Sequence, residues 1–439
     1  MKFKSFALAF LTLCAAASGT SAAQAASFQG TPEVVASGFD NANHATFGPD
    51  GLLYVPEGGV GGDGDGGRRC TPSPSTQYVP ICTGDTAAIS RVNVATGSSE
   101  RILSNLPSLA QQPLQDQGAG PADLQFYNGK AYLVYGMAGD PNNRDSILES
   151  PTLAQLYEID LNTGERKSLA DFAKYEIENN PDGTDLIVNP YSLAIKDGYA
   201  YVTDGGANVI YKVGLNGEGI LKANAFPKQP AVNLNFPSPE ALGLGPEQSI
   251  AFQPTQQSVP TGIKVGPDGA LYATEYTYFP YPEGQARVWK ISDDLEQFTA
   301  VAEGFTQLTD LAFDEKGDLY LLQHYNVPEW EALAPGGDKS GSIIKLAADG
   351  TRETIYSGVE LGAASVLDFG PDGKLYAVAG SRFAKQGTVL AFDLKEGEGG
   401  AKKVPEPATA VGLVAVAGFA AKMLKRKRQE DLLAKVETL

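Results

Sequence analysis

A turn followed by a short aromatic strand recurs six times along this chain, and a repeat of that kind implies a set of small sheets stacked or arrayed around a common core. The copies are GPDGLLYV at Gly48–Val55, YNGKAYLV at Tyr127–Val134, KDGYAYVTD at Lys196–Asp204, GPDGALYATE at Gly266–Glu275, EKGDLYLLQ at Glu315–Gln323 and GPDGKLYAVA at Gly370–Ala379. Asp-Gly, Asn-Gly or Lys-Gly supplies the positive φ of a tight hairpin. The strand that follows brings Tyr54, Tyr132, Tyr201, Tyr272, Tyr320 or Tyr376 to one shared position. A short strand precedes each turn, as in PADLQF and LTDLAF. Another follows, as in LYEIDLNTG and VLAFDLKEG, and a fourth segment such as QFTAVAEGF or RETIYSGV often completes the unit. Four antiparallel strands repeated six times predict an all-β fold, a six-bladed β-propeller over residues 26–400. The sixth unit runs out before its fourth strand. Pro32–Phe39, PEVVASGF, matches the missing segment and is expected to close the ring by pairing with Thr388–Leu394.

The two ends differ from this body. Lys2 and Lys4 precede an apolar run, and Ala23-Gln24-Ala25 forms a cleavage site, so residues 1–25 read as a signal peptide for the Sec export machinery. Residues 401–407 form a linker ending in Val404-Pro405-Glu406-Pro407, whose prolines stop any strand. Ala408–Leu424 is apolar except for Lys422 and is about the minimum length for a membrane-spanning helix. A basic cluster with Arg426 and Arg428 ends that segment at residue 428, and an eleven-residue tail, 429–439, follows. The V-P-E-P motif, apolar helix and basic cluster together resemble the PEP-CTERM sorting signal of bacterial envelope proteins. That resemblance implies an exosortase-type processing enzyme as a partner; a plain C-terminal anchor is the alternative. Either way the body is expected outside the cytoplasm, in the periplasm, outer envelope or extracellular matrix.

The formal charge of the chain is −18, and the two terminal segments carry +2 each, leaving −22 on the body. Such a body repels nucleic acid and anionic lipid. Cys70 and Cys82 are the two cysteines left after export, and their closeness in an oxidising compartment predicts one disulfide pinning a long loop.

Intervals between the repeated tyrosines are 78, 69, 71, 48 and 56 residues. The extra length falls in second-to-third-strand loops, at Pro56–Ala87, Gly136–Ala154 and His324–Gly341, and in the links Ser104–Gly120 and Leu221–Val259. In a propeller these connections share one face, so that face is expected to carry function. Strand ends there offer Glu57, Asp204, Glu275 and His324, and innermost strands offer His44, Tyr191 and Asp310 among others. Glu57, Asp204, Glu275 and Asp310 are the candidate ligands of Ca²⁺ or another divalent cation. His44, His324 and Glu275 are the candidates for acid–base work. Tyr276, Tyr278, Phe279, Tyr281 and Trp330 form an aromatic group able to stack a flat small ligand. The loop GGDGDGG at Gly61–Gly67 lacks the later Glu of a calcium-binding loop and reads as a flexible acidic loop held by the disulfide.

The repeat phrase itself resembles those of NHL and SMP-30/gluconolactonase propellers. Together with the signal peptide, the Cys-pinned first-blade loop and the PEP-CTERM tail, the opening GFDNANHATFGPDGLLYVPEGG resembles the ScyD/ScyE family, named for the scytonemin pigment cluster. That resemblance implies a role on aromatic pigment or secondary-metabolite precursors outside the inner membrane, without supplying catalytic residues. Two other readings stand beside it: a metal-dependent, lactonase-like hydrolase, and a non-enzymatic surface or matrix propeller.

Overall fold

The computed structural model describes residues 28, 30–74, 79–229, 257–347 and 349–394. The signal peptide and the sorting segment, with Pro405, Glu406, Pro407, Arg426 and Arg428, lie outside the described residues. No helix among the described residues is long and apolar enough to cross a membrane.

The repeats fold as six antiparallel sheets, one per blade, giving the expected six-bladed propeller. Blade two, for example, runs outward through Pro121–Tyr127, Lys130–Tyr135, Gln155–Ile159 and Arg166–Asp171. Blade six takes its outermost strand from the other end of the chain. Glu33–Phe39 pairs antiparallel with Gly387–Phe392, from Glu33 opposite Ala391 to Phe39 opposite Gly387. Phe39, Val35 and Ala36 are buried there against Val389 and Ala391. The ring is thus closed by the segment whose likeness to the fourth strands of the other blades marked it for this place, with register shifts between Val34 and Ala36 and between Ser37 and Phe39.

The repeated phrase has a packing reason. In the G-P-D-G copies the tyrosine hydroxyl donates to the turn aspartate: Tyr54 to Asp50 at 2.9 Å, Tyr272 to Asp268 at 3.1 Å and Tyr376 to Asp372 at 2.9 Å. The ring then lies across the first glycine of the phrase. A Cβ on Gly48 would sit 2.5 Å from the ring of Tyr54, and one on Gly370 2.5 Å from that of Tyr376. Each ring also meets, edge to face, the phenylalanine ending the innermost strand of the next blade. These pairs are Tyr54–Phe126, Tyr272–Phe313, Tyr320–Phe369 and, across the closure, Tyr376–Phe47, with centroids 5.0–5.2 Å apart.

Three expectations about connections change. The stretch Pro56–Ala87 is not simply a loop. Cys70–Pro72 is a strand that pairs with the start of a long strand, Pro80–Asn93, whose partner Ser98–Gln111 absorbs half of the supposed link Ser104–Gly120. Cys70 and Cys82 are opposite one another in that pairing and form the expected disulfide. The first half of the glycine loop before it packs against main chain, a Cβ on Gly61 falling 2.6 Å from the carbonyl of Cys82, while Gly66 and Gly67 have open space beside them. The beginning of the Leu221–Val259 link belongs to blade three's fourth strand, Gly219–Ala225. Among the described residues three short α-helices appear in the connections: α1 (Asn143–Ser146), α2 (Phe172–Asn179) and α3 (Glu329–Ala332). Asp171 caps α2 by accepting from the amide of Lys174.

Deleting residues 29–39 is expected to lower the melting temperature of the whole propeller in one cooperative step, because the last sheet is left open. Phe39→Ala should cost about 3 kcal/mol by the same contacts. Calorimetric melting of the two variants checks this, and a deletion variant that melts like its parent removes the closing strand from the stability of the ring.

Candidate functional site

Strand alternation decides which strand-end residues reach the axis. Glu57, Asp204 and Glu275 stand three residues after their blade's tyrosine, and in blade five that position is Gln323, not His324. All four side chains fasten the segment that enters their own blade. Glu57 accepts from the amide of Asp40 (2.9 Å), Asp204 from Asn189 (2.7 Å) and Gln323 from Thr306 (2.8 Å), while Glu275 accepts from the hydroxyl of Ser258. Two of the acids are also neutralised. Arg101 holds Glu57 at 2.6 Å and Asp40 at 2.8 Å, and Arg287 holds Glu275 at 2.8 Å. The Glu57 bond raises the Arg101 guanidinium further above its already high range. Burial pushes the carboxyl of Glu275 upward, with Arg287 opposing.

A second set of polar groups rings the axis one layer below. His44, Asp123, Ser192 and Asp310 occupy equivalent positions in the innermost strands. Asp123 accepts from the amide of Leu193 (2.8 Å), Ser192 from Ile263 (3.3 Å) and Asp310 from Leu367 (2.9 Å), each stitching its blade to a neighbour. Lys264 enters this layer beside Asp368 at 3.8 Å, a feature that the sequence reading passed over.

The expected metal set of Glu57, Asp204, Glu275 and Asp310 therefore does not assemble. Each belongs to a different blade and gives at least one oxygen to main chain or arginine, while Asp204 Oδ2 and Asp310 Oδ1 are buried without a hydrogen bond. Among the described residues no group of three or more His, Cys, Asp or Glu side chains is placed to hold a metal ion. Glu57, Asp204, Glu275 and Asp310 are likewise absent from the wall of the cavity described next, as is the acid–base candidate His44. His44 is buried against Tyr191, 4.9 Å between ring centroids, with neither nitrogen hydrogen-bonded, and burial lowers its pKa to about 4.

What the elaborated face does contain is a cavity of about 290 Å³ over the axis, with a predominantly apolar wall. Its floor is the entry end of the innermost strands, at Asn43, Ala122, Tyr191, Thr261 and Thr309. Its sides include Tyr276, Tyr278, Tyr281, Met137 and His324. His324 follows Gln323 in the chain, so alternation turns it to the opposite side and onto this wall. The expected aromatic group is thus partly gathered here. Tyr276 meets Tyr281 at 5.4 Å and His324 at 5.3 Å, while Phe279 packs on Tyr281 and Trp330 donates to the carbonyl of Pro280 at 3.0 Å.

Two charged residues on the wall, Arg382 and Glu329, escaped the sequence reading because they come from different blades' loops. They form an ion pair, Tyr276 donates to Glu329 at 3.2 Å, and Asp116 stands 3.9 Å from Arg382. Burial pushes the Tyr281 phenol up to about 12 and that of Tyr276 well above its usual range, so both stay neutral. Burial lowers His324 to about 4; the carbonyl of Ala364, 2.8 Å from Nδ1, opposes this and Arg382 adds to it.

A further buried group lies on α2 itself. Glu176 is fully buried with neither carboxylate oxygen hydrogen-bonded, and burial with Asp204 and Asp182 nearby raises its pKa to about 8. Tyr211, packed on Phe172 and Tyr175 of α2, has a buried hydroxyl without a partner in the same region.

No protein-family model matches the sequence, and no curated protein is significantly similar to it. Several solved structures align over most of its length at low identity. A streptogramin B lyase matches at 11% identity, covering 83% of this chain and 97% of that one with a TM-score of 0.42. A calcium-binding regucalcin from Agrobacterium tumefaciens matches at 12% identity, covering 82% and 93%, with a TM-score of 0.40. A Thermus protein described as a putative oxidoreductase (glucose dehydrogenase) matches at 14% identity, covering 82% and 99%, with a TM-score of 0.41. At this distance the site is read from its own residues.

Two outcomes follow. Arg287→Ala leaves Glu275 buried without its counter-charge and should destabilise the fold by about 3–5 kcal/mol in denaturant unfolding; a loss under about 1 kcal/mol would mean the pair is dispensable. Glu176 titrates near 4.5 unfolded and about 8 folded, so the native state binds the extra proton between those values and stability falls as pH rises through that window. Glu176→Gln should flatten this part of the pH–stability curve, and an unchanged slope would assign it to other groups.

Proposed function

We propose that this protein is an exported propeller that binds a small, flat aromatic compound, of the phenolic or indolic kind found in pigment and secondary-metabolite precursors, in the cavity over its axis. The observation that carries this is the cavity itself: an apolar space of about 290 Å³ with Tyr191, Tyr276, Tyr278 and Tyr281 around it. That volume is at the small end of ligand sites, which span roughly 300–1,000 Å³. Tyrosine faces and edges suit aromatic rings at 4.5–7 Å centroid separation, contributing about 0.5–1.5 kcal/mol per pair beyond area. Export and the pigment context rest on the signal peptide, the PEP-CTERM-like tail and the ScyD/ScyE resemblance.

Binding is favoured over acid–base catalysis by the state of the one imidazole on the wall. With His324 at about 4, taking a proton from a phenol near 10 is uphill by about 8 kcal/mol. A lactonase-like hydrolase would need a metal held by the strand-end acids, and those acids support the fold instead.

The test is titration of the purified body with indole and with p-cresol, following tyrosine and tryptophan fluorescence and thermal stability. Saturable quenching with a raised melting temperature is expected, and Tyr276→Ala should weaken it roughly ten-fold. If neither compound changes either signal, the matrix or surface reading takes precedence.

A further inference from the structure

We infer that the ligand is held by donating a hydrogen bond to Nε2 of His324, so that the cavity selects neutral aromatic O–H or N–H compounds over their alkylated forms. This rests on the reading of the cavity as an aromatic-ligand site and names what that ligand must offer.

The tautomer of His324 is set by its surroundings. Nδ1 is 2.8 Å from the carbonyl oxygen of Ala364, which also receives the hydroxyl of Thr309 at 3.0 Å. A carbonyl has no proton to give, so the imidazole proton must be on Nδ1, and Nε2 keeps a bare lone pair. The ring is braced edge to face by Tyr325 at 4.7 Å and by Tyr276 at 5.3 Å. Its backbone is fixed as well, the amide of His324 donating to Gln307 at 3.0 Å. Turning the ring over would put carbon against the Ala364 carbonyl and forfeit the bond.

Other polar groups on the wall discriminate less. Asn43 donates to Gly118 (3.2 Å), Asn189 accepts from Met137 (3.3 Å), and Thr261 donates to Leu308 (2.8 Å). Glu329 is taken by Arg382 and Tyr276. Tyrosine hydroxyls serve equally as donors or acceptors, so they accept almost any ligand polarity. Nε2 can only accept. His324 is 7% exposed, so a ligand that covers Nε2 without donating leaves a desolvated acceptor unpaired, and that loss falls on the ligand's affinity.

Matched pairs on the unaltered, disulfide-bonded protein test this without needing a variant: p-cresol against its methyl ether, and indole against N-methylindole. The parent compounds are expected to bind roughly ten-fold or more tightly than the methylated ones, the penalty for one buried unpaired acceptor. Affinity for the parents should stay level from about pH 5.5 to about pH 8, because the imidazole is already neutral there. His324→Phe keeps a ring of similar size but removes the acceptor, and should weaken the parents until each pair binds alike. Equal binding of phenol and ether, or of indole and N-methylindole, to the unaltered protein overturns the inference while leaving the aromatic site intact. Binding by no member of either pair overturns the site itself, and the inference with it.

Discussion

The ring depends on a wedge that four of its six blades drive into the next. A propeller blade is a separate sheet, so no ladder hydrogen bond joins one blade to another, and the interfaces must be made by side chains. Here the repeated tyrosine, tethered by its hydroxyl to the turn aspartate and lying over a glycine that leaves room for it, presents its ring to a phenylalanine of the neighbouring innermost strand. Four of the six interfaces use this pair. In blades three and four the phenylalanine position holds Ile195 and Val265. Nearer the axis Asp123, Ser192 and Asp310 add bonds to a neighbour's backbone amide. Wedges serve the interfaces one–two, four–five, five–six and six–one, and stitches serve two–three, three–four and five–six, so every interface carries at least one of the two. The cavity inherits its shape from the spacing of the blades, since its floor is formed by one residue from each of five innermost strands.

Much of this was legible in the sequence because it repeats. The turn phrase, its tyrosine, the strand borrowed from the N-terminal end and the elaborated face all follow from comparing one unit with another, and the cysteine pair from its closeness in sequence and the export signal. Tyr191, His324 and the tyrosines of the Tyr276–Tyr281 loop were found by the same reasoning and do meet at one cavity. The acids were misjudged for a simple geometric reason. Glu57, Asp204 and Glu275 share a register with Gln323, and His324 is one residue further on. A strand places successive side chains on opposite sides, so a one-residue offset separates residues that fasten a blade from one that faces the cavity. Counting from Tyr320 would have shown the offset.

Other features were illegible because they join segments far apart in the chain. Arg101 reaches Glu57 from the outer strand of its blade, and Arg382 reaches Glu329 from the next blade's loop. Neither pairing has a spacing rule to reveal it. Lys264 looks like an ordinary exposed lysine in an alternating strand, and only ring closure brings it beside Asp368. The helix α2 follows directly on a strand with no glycine or proline between them, so the strand pattern masked its start at Asp171.

The contrast between surface and cavity bears on what the protein does. The body carries −22 overall, a field that repels anions at long range, yet the two charges on the cavity wall, Arg382 and Glu329, cancel by pairing. Inside, the tyrosines are held neutral and His324 is held unprotonated, each by burial. Groups that titrate in water have been removed from titration by the same desolvation that makes the cavity apolar. At neutral pH the imidazole of His324 is therefore uncharged, with Nδ1 turned to the carbonyl of Ala364. What the cavity presents at neutral pH is aromatic surface and one fixed acceptor.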